Sequence, residues 1–331
     1  MSRLTHLNVA AAFLLATGAM VVAQSPDAAQ LHVAAAKAAA GTEHTTVFGV
    51  LCAAPAPAAQ PNAPAAPQGS PERSTWHAEP VKVFDNLYFV GQTEFSAWAV
   101  TTSAGIILVD TIFDYSVEDE VAGGLKKLGL DPAQIKYAIV SHGHGDHVGG
   151  AKYLQDHFGT RVLLSAADWD LLDRSSGTRP RRDMVASDGQ KLTLGDTTLT
   201  MYLTPGHTLG TISTIIPVRD RGVPHVAAVW GGTMFNWLRN RSAYITADRP
   251  DSFWFERYSR SAERFRGIVS QAGVDVLLSN HTAYDGSKTK LPALAQRRPN
   301  DTHPYVIGND SVKRFLTMVD ECAQAGRARV K

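Results

Sequence analysis

Charge imbalance is missing from this chain: 32 Lys and Arg stand against 31 Asp and Glu, for a formal net charge of +1 over 331 residues. No basic run interrupts the balance, so neither nucleic acid nor an anionic membrane surface is an expected partner. Cysteine is nearly absent, with only Cys52 and Cys322. Two cysteines cannot build a disulfide framework, and they are open to two readings, free thiols or a bridge between the two ends of the chain. Leu51 stands before Cys52 where a lipid-anchor site carries a small residue, which argues against acylation. Beyond the first two dozen residues no run is apolar enough to span a bilayer. Aromatic residues are sparse before residue 75, so the packed core is expected after it.

The front of the chain reads as a secretory signal over residues 1–23. Arg3 gives a short positive region, Val9 to Val22 is mostly apolar, and Ala23 is a small residue before Gln24. A transmembrane anchor would need a longer run. Export to a bacterial periplasm or the exterior is the expectation, with no stable membrane insertion once the signal is removed. Residues 24–75 read as a flexible Ala/Pro-rich lead-in, with a short helix around Ala28 to Ala40 and proline at intervals between Ala53 and Pro71. His32 and His44, within it, carry no expected role.

What is present is concentrated in Ser141-His142-Gly143-His144-Gly145-Asp146-His147. Three imidazoles and a carboxylate fall within six residues, the ligand chemistry that zinc prefers. From this chain's own His and Asp frequencies such a match arises by chance in roughly one chain in a thousand. It also follows an apolar run, Ile135 to Val140, that reads as a buried strand. In extended backbone His142 and His144 point the same way, while Asp146 and His147 come one turn later and face a neighbouring position. Gly149-Gly150 let the next helix approach the sheet closely.

The remainder of residues 76–331 reads as one catalytic domain ending in a helix. Val81 to Phe84, Leu87 to Gly91, Phe95 to Thr102 and Ile106 to Asp110 form an antiparallel meander. Asp110 ends the fourth strand, where it could brace a metal-bound histidine or cap a helix. A helix (Val117 to Leu128), the Ile135 strand, a helix (Val148 to Phe158) and the Arg161 to Ser165 strand imply helices covering the sheet. Arg174 to Ser187 reads as a mobile loop. Two further histidines sit just past apolar strands: His207 in Thr204-Pro205-Gly206-His207, and His281 in Asn280-His281. They are candidate third and last ligands. A helix over Ser252 to Gln271 and a terminal one over Ser311 to Ala325 complete the reading.

Taken together, His-Gly-His-Gly-Asp-His, Thr-Pro-Gly-His and the late Asn-His resemble the metallo-β-lactamase superfamily over roughly Trp76 to Leu291. The resemblance implies an α/β (α+β) fold, an αββα sandwich of two mixed β-sheets flanked by helices, with metals at one edge. It implies two Zn2+ ions per chain, one on His142, His144 and His207 and the other on Asp146, His147 and His281. It further implies hydrolysis of a small-molecule substrate by a zinc-bound hydroxide oriented by Asp146. Many superfamily hydrolases, among them glyoxalase-type thioesterases, lactonases and nucleases, carry a bridging Asp in the turn after the third His. Here that turn is Gly231-Gly232-Thr233 and has no carboxylate.

β-Lactamases of the subclass with an Asp-His-His second site also lack the bridging Asp. The segments Asn-Leu-Tyr-Phe-Val-Gly and Gly-Asp-Thr-Thr-Leu-Thr are similar to that subclass too. A β-lactam is therefore the leading substrate, and another cyclic amide, lactone or ester the alternative. Thr233 is expected to hold the substrate carboxylate, with charge from Lys191 or the Arg179 to Arg182 segment, while Phe235 stands where a second hydroxyl is common. A non-hydrolytic binding or redox protein of the same fold is the remaining reading. The fold's diiron oxygen reductases carry a Glu in the motif, a bridging Asp and a flavin domain, and all three are missing here.

Overall fold

The short β-rich runs form two sheets in the computed structural model of this chain, which describes residues 27–53 and 70–330. Strands β1 (Val81–Phe84), β2 (Leu87–Phe89), β3 (Trp98–Thr102) and β4 (Gly105–Val109) make the antiparallel meander. Next, β5 (Ile135–Ile139), β6 (Arg161–Ser165) and β7 (Met184–Ala186) extend it in parallel, so that the seven strands lie in chain order. The second sheet has β8 (Lys191–Leu194), β9 (Thr197–Leu203), β10 (Ile212–Asp220) and β11 (Val223–Trp230) antiparallel, with β12 (Val276–Ser279) added parallel to β11.

The inner faces of the sheets meet through Trp98, Leu199, Met201, Ile216, Val229 and Leu278, all buried. The outer face of the first sheet is covered through Val121, Leu125, Leu154 and Trp169, and that of the second by the Asp251–Gln271 and Asn309–Arg329 helices through Phe265, Phe315 and Val319. The result is the expected αββα order of layers. Because β9 and β11 both run antiparallel to β10, and β12 runs parallel to β11, their carboxyl ends share one edge. The loops carrying His207, Gly232 and His281 leave from that edge.

Three expectations are corrected. The lead-in is not loose where it is described. The helices Ala28–Ala40 and Thr45–Leu51 pack on the C-terminal helix, burying Ala36, Ala40, Val47 and Leu51. Alanines let the helices approach closely, so a composition that reads as low complexity also makes a packing face. Neither histidine there is incidental: His32 Nδ1 lies 2.7 Å from Glu321, and His44 Nε2 lies 3.1 Å from the Ser311 carbonyl. The supposed mobile loop contains β7, and the Ala166–Arg174 helix precedes it. The signal at 1–23 and the proline-bearing residues 54–69 lie outside the described residues.

Cys52 and Cys322 form a disulfide that joins the Thr45–Leu51 helix to the C-terminal helix across 270 residues of sequence. Closing a loop of that length restricts the unfolded chain strongly, and loss of a native bridge costs about 2–5 kcal/mol. The double variant Cys52→Ser/Cys322→Ser is expected to melt well below the oxidised protein. Peptide mapping of the unreduced protein should join the two segments, whereas free thiols at both positions would refute the bridge.

Among the described residues, no helix is long and apolar enough to cross a membrane.

Candidate metal centre

The loop after β5 begins with Ser141 and delivers His142 and His144 to one point; the Thr204–Gly210 turn after β9 brings His207 to it. His142 Nε2 and His144 Nδ1 lie 3.1 and 3.2 Å from His207 Nε2. The other ring nitrogens settle the tautomers. His142 Nδ1 is 2.9 Å from the Gly231 carbonyl and His207 Nδ1 is 2.7 Å from the Met234 carbonyl. A carbonyl only accepts, so each Nδ1 carries the proton and each Nε2 keeps its lone pair. Burial, reinforced by the neighbouring imidazoles, holds both residues well below the ordinary histidine range, and burial takes His144 down to about 4. Neutral imidazoles with lone pairs converging at 3.1 Å repel unless a cation lies between them. Nitrogens about 2.0–2.1 Å from a tetrahedral zinc stand about 3.3–3.4 Å apart, so the spacing fits that ion.

The second group gathers Asp146, His147 and His281. Asp146 Oδ2 is 3.1 Å from His147 Nε2 and 3.7 Å from His281 Nε2. Both nitrogens of His147 are buried and without a hydrogen bond, although carboxylate oxygens lie near each, because those oxygens are out of line with the ring N–H directions. A metal takes one ring nitrogen: Nε2, on the side of Asp146, is the one that could bind an ion, while Nδ1 faces Asp110, the carboxylate that would orient the ring. Burial opposes charge on His147, but Asp146 and then Asp110 outweigh it and push the imidazole up to about 10. Asp146 is driven the other way: burial would raise its carboxyl, and the charge of His147 carries it below the usual carboxylate range. The rings of His142 and His147 are 4.2 Å apart, so the two groups adjoin.

Buried carboxylates hold these loops. Asp110 accepts from Ser141 N–H at 2.6 Å and from Ser141 O–H at 2.9 Å, and its Oδ2 is 3.0 Å from His147 Nδ1. It caps no helix. Asp110 and Ile112 both take positive φ, 61° and 53°, conformations that cost a β-branched residue most. The kink lets Thr111 N–H donate to the His147 carbonyl at 2.8 Å. It also explains Gly149-Gly150: a Cβ at Gly150 would lie 2.3 Å from the Thr111 carbonyl oxygen. The close neighbour is this kinked loop and not, as expected, the sheet. Asp285 accepts from Ser279 N–H at 2.8 Å, just before Asn280-His281, and burial pushes its carboxyl up to about 6. Asp168, likewise raised to about 6 by burial, joins the loops of the first group.

None of the expected substrate contacts makes a hydrogen bond to the metal groups. Thr233 is buried, its hydroxyl has no partner, and its carbonyl accepts from Tyr258 O–H at 2.7 Å. Arg179 donates to the Leu172 and Ser175 carbonyls and Arg182 pairs with Asp170, which engages them elsewhere. Lys191 is exposed on β8. Phe235 is buried against Trp237, Phe255 and Tyr258. Two residues that the sequence did not flag do reach the site. Asn236 Nδ2 is 3.1 Å from His207 Nε2, and Tyr244 O–H is 2.7 Å from His144 Nε2. With Nδ1 of His144 facing the group, its Nε2 carries the proton, and Tyr244 accepts it. Half-buried Phe95 and Phe113 pack edge to face at 5.1 Å, and Phe95 stands equally close to the His281 ring.

A four-layer sandwich that collects five imidazoles and a carboxylate at one sheet edge, in two groups that could each hold a metal ion, has the architecture of a metal-dependent hydrolase. Residues 95–221 match the model of the Metallo-beta-lactamase superfamily. Over 193 residues the chain is 35% identical to the hydroxyacylglutathione hydrolase of Pseudomonas syringae pv. syringae (strain B728a), covering 53% of this chain and 69% of that protein. Several other curated relatives, most of them also hydroxyacylglutathione hydrolases, share half of their length or less with it. Among solved structures, BJP-1, a subclass B3 metallo-beta-lactamase of Bradyrhizobium japonicum, superposes with a TM-score of 0.61 at 24% identity, covering 72% of this chain and 89% of that one. A metallo-beta-lactamase from Cronobacter sakazakii (Enterobacter sakazakii) gives 0.60 at 27% identity, with 73% and 91% covered. The chain belongs to the metallo-beta-lactamase superfamily and has its fold.

Proposed function

We propose that this protein is an exported dizinc hydrolase that opens the ring of a β-lactam, adding water across the amide C–N bond. The observation that carries the reading is the turn after β11. A Cβ at Gly232 would lie 2.5 Å from His207 Cβ, so the turn has no carboxylate and no room for one. Family hydrolases of thioesters, lactones and phosphodiesters use a bridging Asp there; the β-lactamases with an Asp-His-His second site do not. Similarity to solved β-lactamases along some nine tenths of their length supports the same choice. The charged-then-apolar start of the chain and the Cys52–Cys322 bridge support export, since disulfides persist in oxidising compartments.

His142, His144 and His207 would hold one ion and Asp146, His147 and His281 the other. When bound, zinc polarises a carbonyl and lowers the pKa of water to about 7. Asp146, ionised and with Oδ2 turned to the imidazoles, keeps Oδ1 to accept a hydrogen bond from the attacking water. Asn236 Nδ2 supplies an N–H beside the first group, where a carbonyl oxygen would gain charge. Phe95 and Phe113 exclude water from one side of the second group.

The similarity to hydroxyacylglutathione hydrolases favours a second reading, thioester hydrolysis. A panel decides between them: a carbapenem, a cephalosporin, a hydroxyacylglutathione thioester, an acyl-homoserine lactone and a phosphodiester, offered to zinc-loaded protein with and without chelator. Chelator-sensitive β-lactam opening is expected. Turnover of thioester or lactone with both β-lactams untouched would overturn the substrate and leave the hydrolase.

A further inference from the structure

Ser165-Ala166-Ala167-Asp168 opens its helix in the pattern of a capping box, and Ser165 Oγ does accept from the Asp168 N–H, at 3.2 Å. In such a box the acidic side chain turns back to the cap residue. Asp168 turns away. Its carboxylate, on a residue only 1% exposed, accepts from three donors in other segments: Gly143 N–H at 2.9 Å and Thr208 O–H at 2.8 Å on Oδ2, and Gly210 N–H at 3.1 Å on Oδ1. No cation offsets its charge among the described residues. The seat is tightly built, since a Cβ at Gly210 would lie 2.7 Å from Asp168 Oδ1.

The donors are not scattered. Gly143 lies between His142 and His144, and Thr208 follows His207, so one carboxylate ties together the two loops that carry all three imidazoles of the first group. It makes no bond to Asp146, His147 or His281, and its one bond to the loop that also carries Asp146 and His147 falls at Gly143, between the two imidazoles of the first group. We propose that Asp168 is a positioning residue that sets the spacing of His142, His144 and His207, and with it the metal affinity of the first group alone. The inference rests on the reading of that group as a metal site.

Asp168→Asn is isosteric but replaces one acceptor oxygen with a donor. Thr208 can rotate to accept from the new N–H; a backbone N–H at Gly143 or Gly210 cannot, and is left unpaired. Thr208→Val removes the bond to Asp168, along with the one to Thr211 Oγ1 at 2.9 Å, without touching the carboxylate, and Thr208→Ser keeps both. The measurement is zinc titration of metal-free protein against a chromophoric chelator, in a His281→Ala background that isolates the first group and a His142→Ala background that isolates the second. Circular dichroism and thermal melting establish that each variant is folded. Asp168→Asn is expected to lose on the order of 10–100-fold in affinity at the first group and to keep the second, in line with other residues that orient metal ligands. Thr208→Val should lose less at the same group, and Thr208→Ser should match its parent. Undiminished first-group affinity in folded Asp168→Asn overturns the inference, as does an equal loss at both groups or failure of both Asp168→Asn and Thr208→Val to fold, which would make Asp168 a general scaffold residue. A parent protein that binds no zinc defeats the metal assignment itself.

Discussion

Asp146→Asn is expected to fold and to lose catalysis on the order of a thousandfold, within the range for removing a group that handles the nucleophile's proton. The side chain is partly exposed and sits on the loop edge, so an isosteric amide leaves the core untouched. Its chemistry changes completely. Asp146 is the only anionic member of the two metal groups. Its Oδ2 faces His147 at 3.1 Å and His281 at 3.7 Å, and its charge is the largest influence keeping His147 cationic before a metal enters. An amide supplies no charge to a second ion and presents a donor where an acceptor is needed. Steady-state turnover with whichever substrate the panel identifies, together with metal content, reports both losses. Turnover within a few-fold of the parent would place the chemistry elsewhere.

Gly232→Ala is expected to weaken the protein and the first metal group together. The added Cβ would lie 2.5 Å from His207 Cβ and 2.6 Å from its Cγ. Neither atom is the end of a flexible chain, and His207 cannot swing aside without breaking the bond from its Nδ1 to the Met234 carbonyl. Overpacking of this kind costs about 1–3 kcal/mol. A displaced His207 should also lower zinc affinity at that group by on the order of 10–100-fold. Gly232→Asp should do the same and should not create a bridging ligand, because the clash precedes any placement of the carboxylate. Thermal melting and zinc titration test this, and a Gly232→Asp protein with parental stability and a gained lactonase activity would show that the turn is merely small, not closed.

The ligands were legible because each obeys a local rule. His142, His207 and His281 all follow apolar strands, and glycine flanks the first two, a setting that core histidines seldom need. The strands were legible for the same reason, with ends differing by a few residues: Phe95 to Thr102 shortens to Trp98–Thr102, and Leu87 to Gly91 to Leu87–Phe89. What stayed hidden depends on partners far away in sequence. Asp168 looks like a helix start, and only the folded chain turns its carboxylate toward Gly143 and Thr208. Asn236 and Tyr244 lie in a stretch without periodicity, placed by Trp237 and Trp254 in the core beneath them. β7 is three residues long with Val185 exposed, so no alternation announced it. The alanine-rich helix was placed correctly at Ala28 to Ala40, but its burial could not be read without the C-terminal helix on which it packs.

The proposed two-metal centre is tested most directly by metal analysis. Purified protein, stripped with chelator, reloaded with zinc and freed of excess ion, should retain two zinc ions per chain, one for each group of three ligands. His207→Ala and His281→Ala should each retain one. One ion or none in the parent protein, or two in both variants, would contradict the binuclear site.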